Sequence, residues 1–116
     1  MTNNTIEVHK AFTAAILAND QHWENLITDD VYFQGPLAEV QGIEDFIILN
    51  TPYFEAIKTI ETHQIIVDGA SLATQLTVTI EHYDNNRISF PVAEWYNIQE
   101  GKIKAFHIYF DPRPLM

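Results

Sequence analysis

The residue of this chain best suited to chemistry is a carboxylate set in an apolar row. In the stretch ISFPVAEWYNIQEGKIKAFHIYFD, Ile88 to Asp111, strand-type alternation puts Phe90, Val92, Glu94, Tyr96 and Ile98 on one face. A buried carboxyl group with no partner is costly in its charged form and favours the neutral one. Such a group serves either as a hydrogen-bond donor to a developing oxyanion or as a general base near neutral pH. Tyr96, two residues on and on the same face, is the phenol best placed to help. Tyr32, Tyr53 and Tyr109 are further phenols, although tyrosine more often serves core or interface with its hydroxyl at the edge. Two bland alternatives for Glu94 stay open. A cross-strand partner or water makes it structural, or a bulge at Pro91 turns it to solvent.

Other chemistries find little support. There is no cysteine, which removes thiolate nucleophiles, disulfides and thiolate metal sites. No G-x-S-x-G or Ser-His-Asp pattern is present. His9, His22, His63, His82 and His107 contain no i, i+4 pair of the zinc-helix kind, so neither a metal nor a cofactor is expected. By alternation His107 shares a face with Ile103, Ala105 and Tyr109, and Phe106, Ile108 and Phe110 take the other. Asp111, before Pro112, reads as a strand-end cap.

The elements that must hold Glu94 follow from pattern. Asn4 to Asn19 is a helix, with Asn4 as cap, Glu7 as its capping-box partner and a stripe of Val8, Phe12 and Ile16. Asp20 caps a second short helix through Trp23, Leu26 and Ile27, with His22 and Glu24 outward. Thr28-Asp29-Asp30 is a loop, Val31 to Gln34 a short strand ended by Gly35-Pro36, and Leu37 to Gln41 a loop crossing. Gly42 opens a third helix to Asn50. Pro52 breaks it, and a fresh turn runs from Pro52 to Ile57. Strands then cover Thr59 to Asp68 and Ser71 to Tyr83. The latter alternates Leu72, Thr74, Leu76, Val78 and Ile80 against Ala73, Gln75, Thr77, Thr79 and Glu81. Asp84-Asn85-Asn86 is a turn. Gln99-Glu100-Gly101-Lys102 closes a hairpin between the last two strands. Pro91 demands an edge or a bulge and predicts a bend there. Helices first and a long meander after them make the chain α+β, with helices on one face of a curved sheet.

The totals agree. The 116 residues suffice for one domain, 1–116, and 47% hydrophobic residues supply a core. A net charge of −10, from 16 acidic and 6 basic residues, argues against nucleic-acid and anionic-membrane partners. No apolar run is long enough to span a membrane, and MTNNTIEVHK lacks the pattern of a secretory leader, so a cytoplasmic protein is expected.

The order of helices, DDVYFQGP (Asp29 to Pro36), QGIEDF (Gln41 to Phe46) and FPVAEWYNIQEGKIKAFHIYFDPRP (Phe90 to Pro114) resembles the SnoaL-like proteins of the nuclear transport factor 2-like superfamily. Ketosteroid isomerase and limonene epoxide hydrolase belong to the same superfamily. The resemblance implies a cone-shaped barrel in which a curved antiparallel sheet wraps the N-terminal helices, an apolar pocket, and a homodimer through the outer face of the sheet. It puts Phe106, Ile108 and Phe110 in the pocket, with Phe12, Trp23, Phe33, Phe46, Phe54, Phe90 and Val92 as further lining. It puts Trp95 and His107 on the outer face. Of the isomerase's three catalytic parts, the general-base aspartate falls on Gly35 and the oxyanion tyrosine on Ala11, beside Phe12. Only the protonated acid has a match, Glu94. The aspartate-arginine-aspartate set of the epoxide hydrolases has none, since Arg87 and Arg113 are the only arginines.

Two functions follow. One is an isomerase-, cyclase- or hydrolase-type enzyme that moves protons on a hydrophobic small molecule, with Glu94 as acid or base and Tyr96 as helper. The other is a non-catalytic ligand-binding or dimeric interaction module, favoured by the missing base at Gly35.

Overall fold

The computed structural model describes residues 3–81 and 85–115. Helix α1 (Asn3–Leu17) is followed by a 3-10 turn (Gln21–Leu26), strands β1 (Ile27–Gln34) and β2 (Glu39–Gln41), and helix α2 (Ile43–Ala56). Four long strands come next: β3 (Ile57–Asp68), β4 (Ser71–Glu81), β5 (Arg87–Gln99) and β6 (Lys102–Tyr109). A last 3-10 turn spans Arg113–Leu115. The strands form one sheet in the order β2-β1-β6-β5-β4-β3, with β1 and β6 parallel and the other neighbours antiparallel. The fold is α+β. Register shifts in β1, β3 and β6 curve the sheet. It does not close, because β2 and β3 remain as edges.

The α1 stripe is buried as its i, i+4 spacing requires, at Val8, Phe12 and Ile16. Thr5 ties the start of the helix to the β3–β4 turn by donating to the Gly69 carbonyl at 2.8 Å. Asp20 accepts from the His22 N–H at 2.9 Å and opens the turn that buries Trp23. Phe12 is the hub of the interior. Its ring meets Trp23, Phe54, Tyr96 and Phe106 edge-on, at centroid distances of 6.3, 5.8, 6.1 and 6.0 Å.

Several local expectations give way to tertiary context. Helix α2 runs unbroken through Pro52. Asn50 donates to the Phe46 carbonyl (3.1 Å) and Thr51 to the Ile47 carbonyl (2.6 Å), so side chains serve the ladder where the proline weakens it. The carbonyl that Pro52 cannot reach is that of Ile48, a residue open to solvent. Thr28 to Asp30 belongs to β1 and not to a loop, with the register shift between Ile27 and Tyr32 absorbing the polar residues. Glu39 to Gln41, expected as loop, pairs with β1. Pro91 causes no bulge against β4, where it faces Thr77. Pairing with β6 begins only at Ala93, so β5 is locally an edge at the proline. Ile103 is buried, whereas His107 and Tyr109 lie outside. The irregularity between Asn97 and Ile98 shifts the alternation within β6. Helix α1 begins at Asn3, and the side-chain cap expected of Asn4 lies outside the described residues, as do His82, Tyr83 and the turn residue Asp84. The hairpin at Glu100-Gly101 is as expected, with φ of 52° and 78°. Gly42 caps α2 at φ 100°, a backbone state that a side chain would strain.

Because Phe12 is 1% exposed and touches four rings, Phe12→Ala is expected to cost about 3–5 kcal/mol in chemical denaturation. A loss below about 1 kcal/mol, the scale of a volume-conserving swap, would show that the aromatic centre is not what holds α1 to the sheet.

Candidate small-molecule site

Glu94 lies on the inner face of β5, between buried Val92 and Tyr96, with its side chain 11% exposed. Its strand neighbours in register are Thr74 on β4 and Ile108 on β6. The carboxyl group is not unpaired. Oε1 accepts hydrogen bonds from Thr74 Oγ1 at 3.1 Å and from the Tyr96 hydroxyl at 2.9 Å. The cross-strand partner left open on sequence grounds is therefore real, and it is Thr74. Both bonds fall on one oxygen. Oε2 accepts none among the described residues.

Burial, followed by the negative charge of Glu94 and its hydrogen bond, pushes the Tyr96 phenol well above its ordinary range. Tyr96 is thus a constant donor. Tyr53 is pushed upward as well, by burial first and the Glu94 charge second. His9 of α1 completes the surroundings. It is 3% exposed, its ring stands edge-on to Tyr96 at 5.0 Å, and its Nε2 is 3.8 Å from Glu94 Oε1. That distance is electrostatic and too long for a hydrogen bond. Neither ring nitrogen of His9 has a hydrogen-bond partner among the described residues.

An apolar cavity of about 170 Å³ opens beneath α2, between the Gly35–Ala38 loop, Tyr53 and the C-terminal turn. Of the ten anticipated lining residues only Phe33, Ile108 and Phe110 border it. Phe12, Trp23, Phe46, Phe54 and Phe106 instead pack on one another and fill the space that a deeper pocket would use. Phe90 and Val92 are buried in the inner face of the sheet. Tyr53, one of the candidate phenols, lines the cavity, and so do Leu37, Leu49, Asn50 and Leu115, which were not anticipated. Glu94 and Tyr96 do not border it. They connect to it through Ile108, the register partner of Glu94, and through Tyr53, which feels the Glu94 charge and stacks on Phe110 at 6.3 Å. A Cβ at Gly35 would come within 3.2 Å of the Phe33 ring, so a side chain there narrows the entrance.

The remaining candidates lie elsewhere. Trp95 is 49% exposed on the outer face, in register with His107, whose Nδ1 is 3.3 Å from Gln34 Oε1. Asp111 caps the turn that follows the strand, taking the Arg113 N–H at 3.0 Å. The Arg113 guanidinium brings its carboxyl down to about 2. Arg87 is paired with Glu81 at 3.6 Å. No group of three or more His, Asp or Glu side chains among the described residues could hold a metal ion. No helix among them is long and apolar enough to cross a membrane.

His9 and Thr74 escaped the sequence reading, yet each left a trace. His9 stands three residues before Phe12 on the buried side of α1. Thr74 interrupts the apolar row of β4 as Glu94 interrupts that of β5. Glu94→Leu orphans the Thr74 and Tyr96 hydroxyls and is expected to cost about 1–3 kcal/mol for each. Glu94→Gln keeps an acceptor oxygen and should lose less than half as much. Equal stability of Glu94→Leu and wild type in urea titrations would mean that the network contributes nothing to the fold.

Comparison with known proteins agrees with this architecture. The profile of the SnoaL-like domain matches residues 8–106. No curated protein sequence matches significantly. Among solved structures, an LEH-like epoxide hydrolase of M. tuberculosis superposes with a TM-score of 0.83 at 22% identity, covering 97% of this chain and 86% of that one. A candidate SnoaL-like polyketide cyclase from Jannaschia sp. CCS1 gives 0.84 at 15% identity, covering 99% and 90%. A candidate isomerase from Bacillus subtilis gives 0.83 at 14%, covering 96% and 88%. At such identities the likeness establishes the fold alone. The profile match spans most of the chain, and the chain belongs to the SnoaL-like family of the nuclear transport factor 2-like fold.

Proposed function

We propose that this chain, as a single SnoaL-like domain over residues 1–116, binds a hydrophobic small molecule in the cavity beneath α2. In this reading Glu94 is the acid–base group and Tyr96 its positioning partner. The observation that carries it is the division of labour within one carboxyl group. Oε1 is held by two hydroxyls, Oε2 accepts no hydrogen bond among the described residues, and Ile108, the strand neighbour of Glu94, lines the cavity. A carboxylate fixed in that way can remove a proton from a carbon next to a carbonyl and return it elsewhere on the same molecule. Tyr53, kept protonated, can hydrogen-bond to the carbonyl oxygen. The step needs neither a covalent nucleophile nor a metal.

The test is deuterium uptake from heavy water into enolisable cyclic ketones, followed by proton NMR. Wild type should accelerate exchange at the carbon next to the carbonyl, and Glu94→Gln should lower that rate by about 10²–10⁴-fold. If Glu94→Gln exchanges as fast as wild type while the ketone still binds, Glu94 has no catalytic role. The non-catalytic binding module is then the function. The empty position at Gly35 and the distance of Glu94 from the cavity lining are the observations that favour this second reading.

The same proposal includes a homodimer through the outer face of the sheet. One cross-strand row runs Ile66, Ala73, Trp95, His107, Gln34 and Glu39 across all six strands. Ile66, Trp95 and Tyr109 are 56%, 49% and 54% exposed on that unpartnered face. A second copy of the chain would cover them. Sedimentation should then show a dimer that Trp95→Lys weakens by at least about tenfold, the loss expected of a central aromatic anchor. A wild-type monomer at high concentration would remove the dimer from the account.

A further inference from the structure

The cavity limits what it can hold, by size and by charge. Its volume, about 170 Å³, is close to the roughly 150 Å³ of an engineered apolar cavity that takes one benzene. One six-membered ring with one or two small substituents fills such a space, and two fused rings exceed it. Asn50 and Tyr53 are its polar side chains. Asn50 spends an N–H on the Phe46 carbonyl, which leaves its own oxygen as an acceptor. Tyr53 brings a hydroxyl donor. Together they suit one ligand oxygen, a hydroxyl or a carbonyl. Among the described residues no Lys, Arg or His lines the cavity, and the chain carries a net charge of −10. An anionic ligand would lose its water there and gain no counter-charge.

The rim is built by the C-terminal turn. Asp111 takes both the backbone N–H of Arg113 (3.0 Å) and its Nε (2.9 Å), and Leu115 N–H donates to the Pro112 carbonyl at 2.9 Å. That turn fixes Leu115, half-buried, as one wall of the cavity.

We infer that the cavity takes an uncharged monocyclic compound carrying a single hydroxyl or carbonyl oxygen, and that Leu115 sets the upper size limit. The inference rests on the small-molecule reading above, and its test separates the two. ¹⁵N-labelled protein is titrated with 4-methylphenol, cyclohex-2-enone, benzoate, 2-naphthol and progesterone. The signals read are the backbone amides of Gly35, Leu37 and Leu115 and the side-chain amide of Asn50. The two neutral monocycles should give saturable shifts, and benzoate and progesterone should give none. 2-Naphthol, the more hydrophobic phenol, should nevertheless bind at least about tenfold more weakly than 4-methylphenol, as overpacking a filled cavity implies. Leu115→Ala should close that gap. Saturable binding of benzoate would overturn the charge limit. Equal or tighter binding of 2-naphthol or progesterone to wild type, or a gap that survives Leu115→Ala, would overturn the size limit and leave the small-molecule reading standing. No shift with any of the five compounds would end both.

Discussion

A carboxylate inside an apolar sheet face must be held by hydrogen bonds, or it will cost several kcal/mol in lost hydration. In this protein two hydroxyls hold it. Thr74 reaches across from β4, and Tyr96 reaches back along β5. The cross-strand pair requires the register of β4 against β5, which runs without a shift from Ser71–Asn97 to Glu81–Arg87. The Tyr96 ring, stacked on Phe106 at 4.5 Å and met edge-on by Phe12, joins the carboxyl group to the aromatic centre. Position, partners and packing of Glu94 are therefore one construction. On the proposed reading, it is the point at which the fold's stability and the site's chemistry use the same atoms.

The aromatic centre also explains why the site is small. Phe12, Trp23, Phe46, Phe54 and Phe106 pack edge-on or tilted and fill the centre, and an apolar cavity opens where α2, the Gly35–Ala38 loop and the C-terminal turn meet. Tightly interlocked rings in rotamer minima do not yield space easily. On the proposed small-molecule reading, ligand size is decided at the rim, by Leu37, Leu49 and Leu115, and ligand orientation by Asn50 and Tyr53. His9 adds a buried imidazole, with no hydrogen bond among the described residues, at the back of the same network.

Much of this was legible in the sequence, and the rest was hidden for physical reasons. Strand alternation isolated Glu94 in its row, Glu100-Gly101 marked the hairpin, and the i, i+4 stripe placed Phe12 in the core. Each is a local signal with a fixed period. Pro52 misled because a proline's cost is local while the side chains that compensate for it, Asn50 and Thr51, act only once the helix exists. The polar start of β1 looked like a loop because its strand partner lies far along the chain, with Ile103 opposite Ile27, and β2 did because it is a three-residue edge strand paired to β1 alone. The lining of the cavity was the least legible feature. Aromatic residues announce burial, but not whether their rings enclose a space or fill it. Thr74 was visible as a polar residue in an apolar row, and matching it to Glu94 needed only the register of one hairpin.

Whether Glu94 belongs to the cavity as well as to the core can be read from its side-chain carboxyl ¹³C resonance, assigned by its loss in Glu94→Gln. The measurement is made with and without saturating cyclohex-2-enone, alongside the slowly exchanging hydroxyl proton of Tyr96. The account predicts that the ketone shifts the Glu94 carbon through Oε2 while the Tyr96 proton stays on Oε1. A Glu94 carbon that does not move while the Asn50 and Leu115 amides do would contradict it, and would leave the carboxylate as a structural post behind an independent binding cavity.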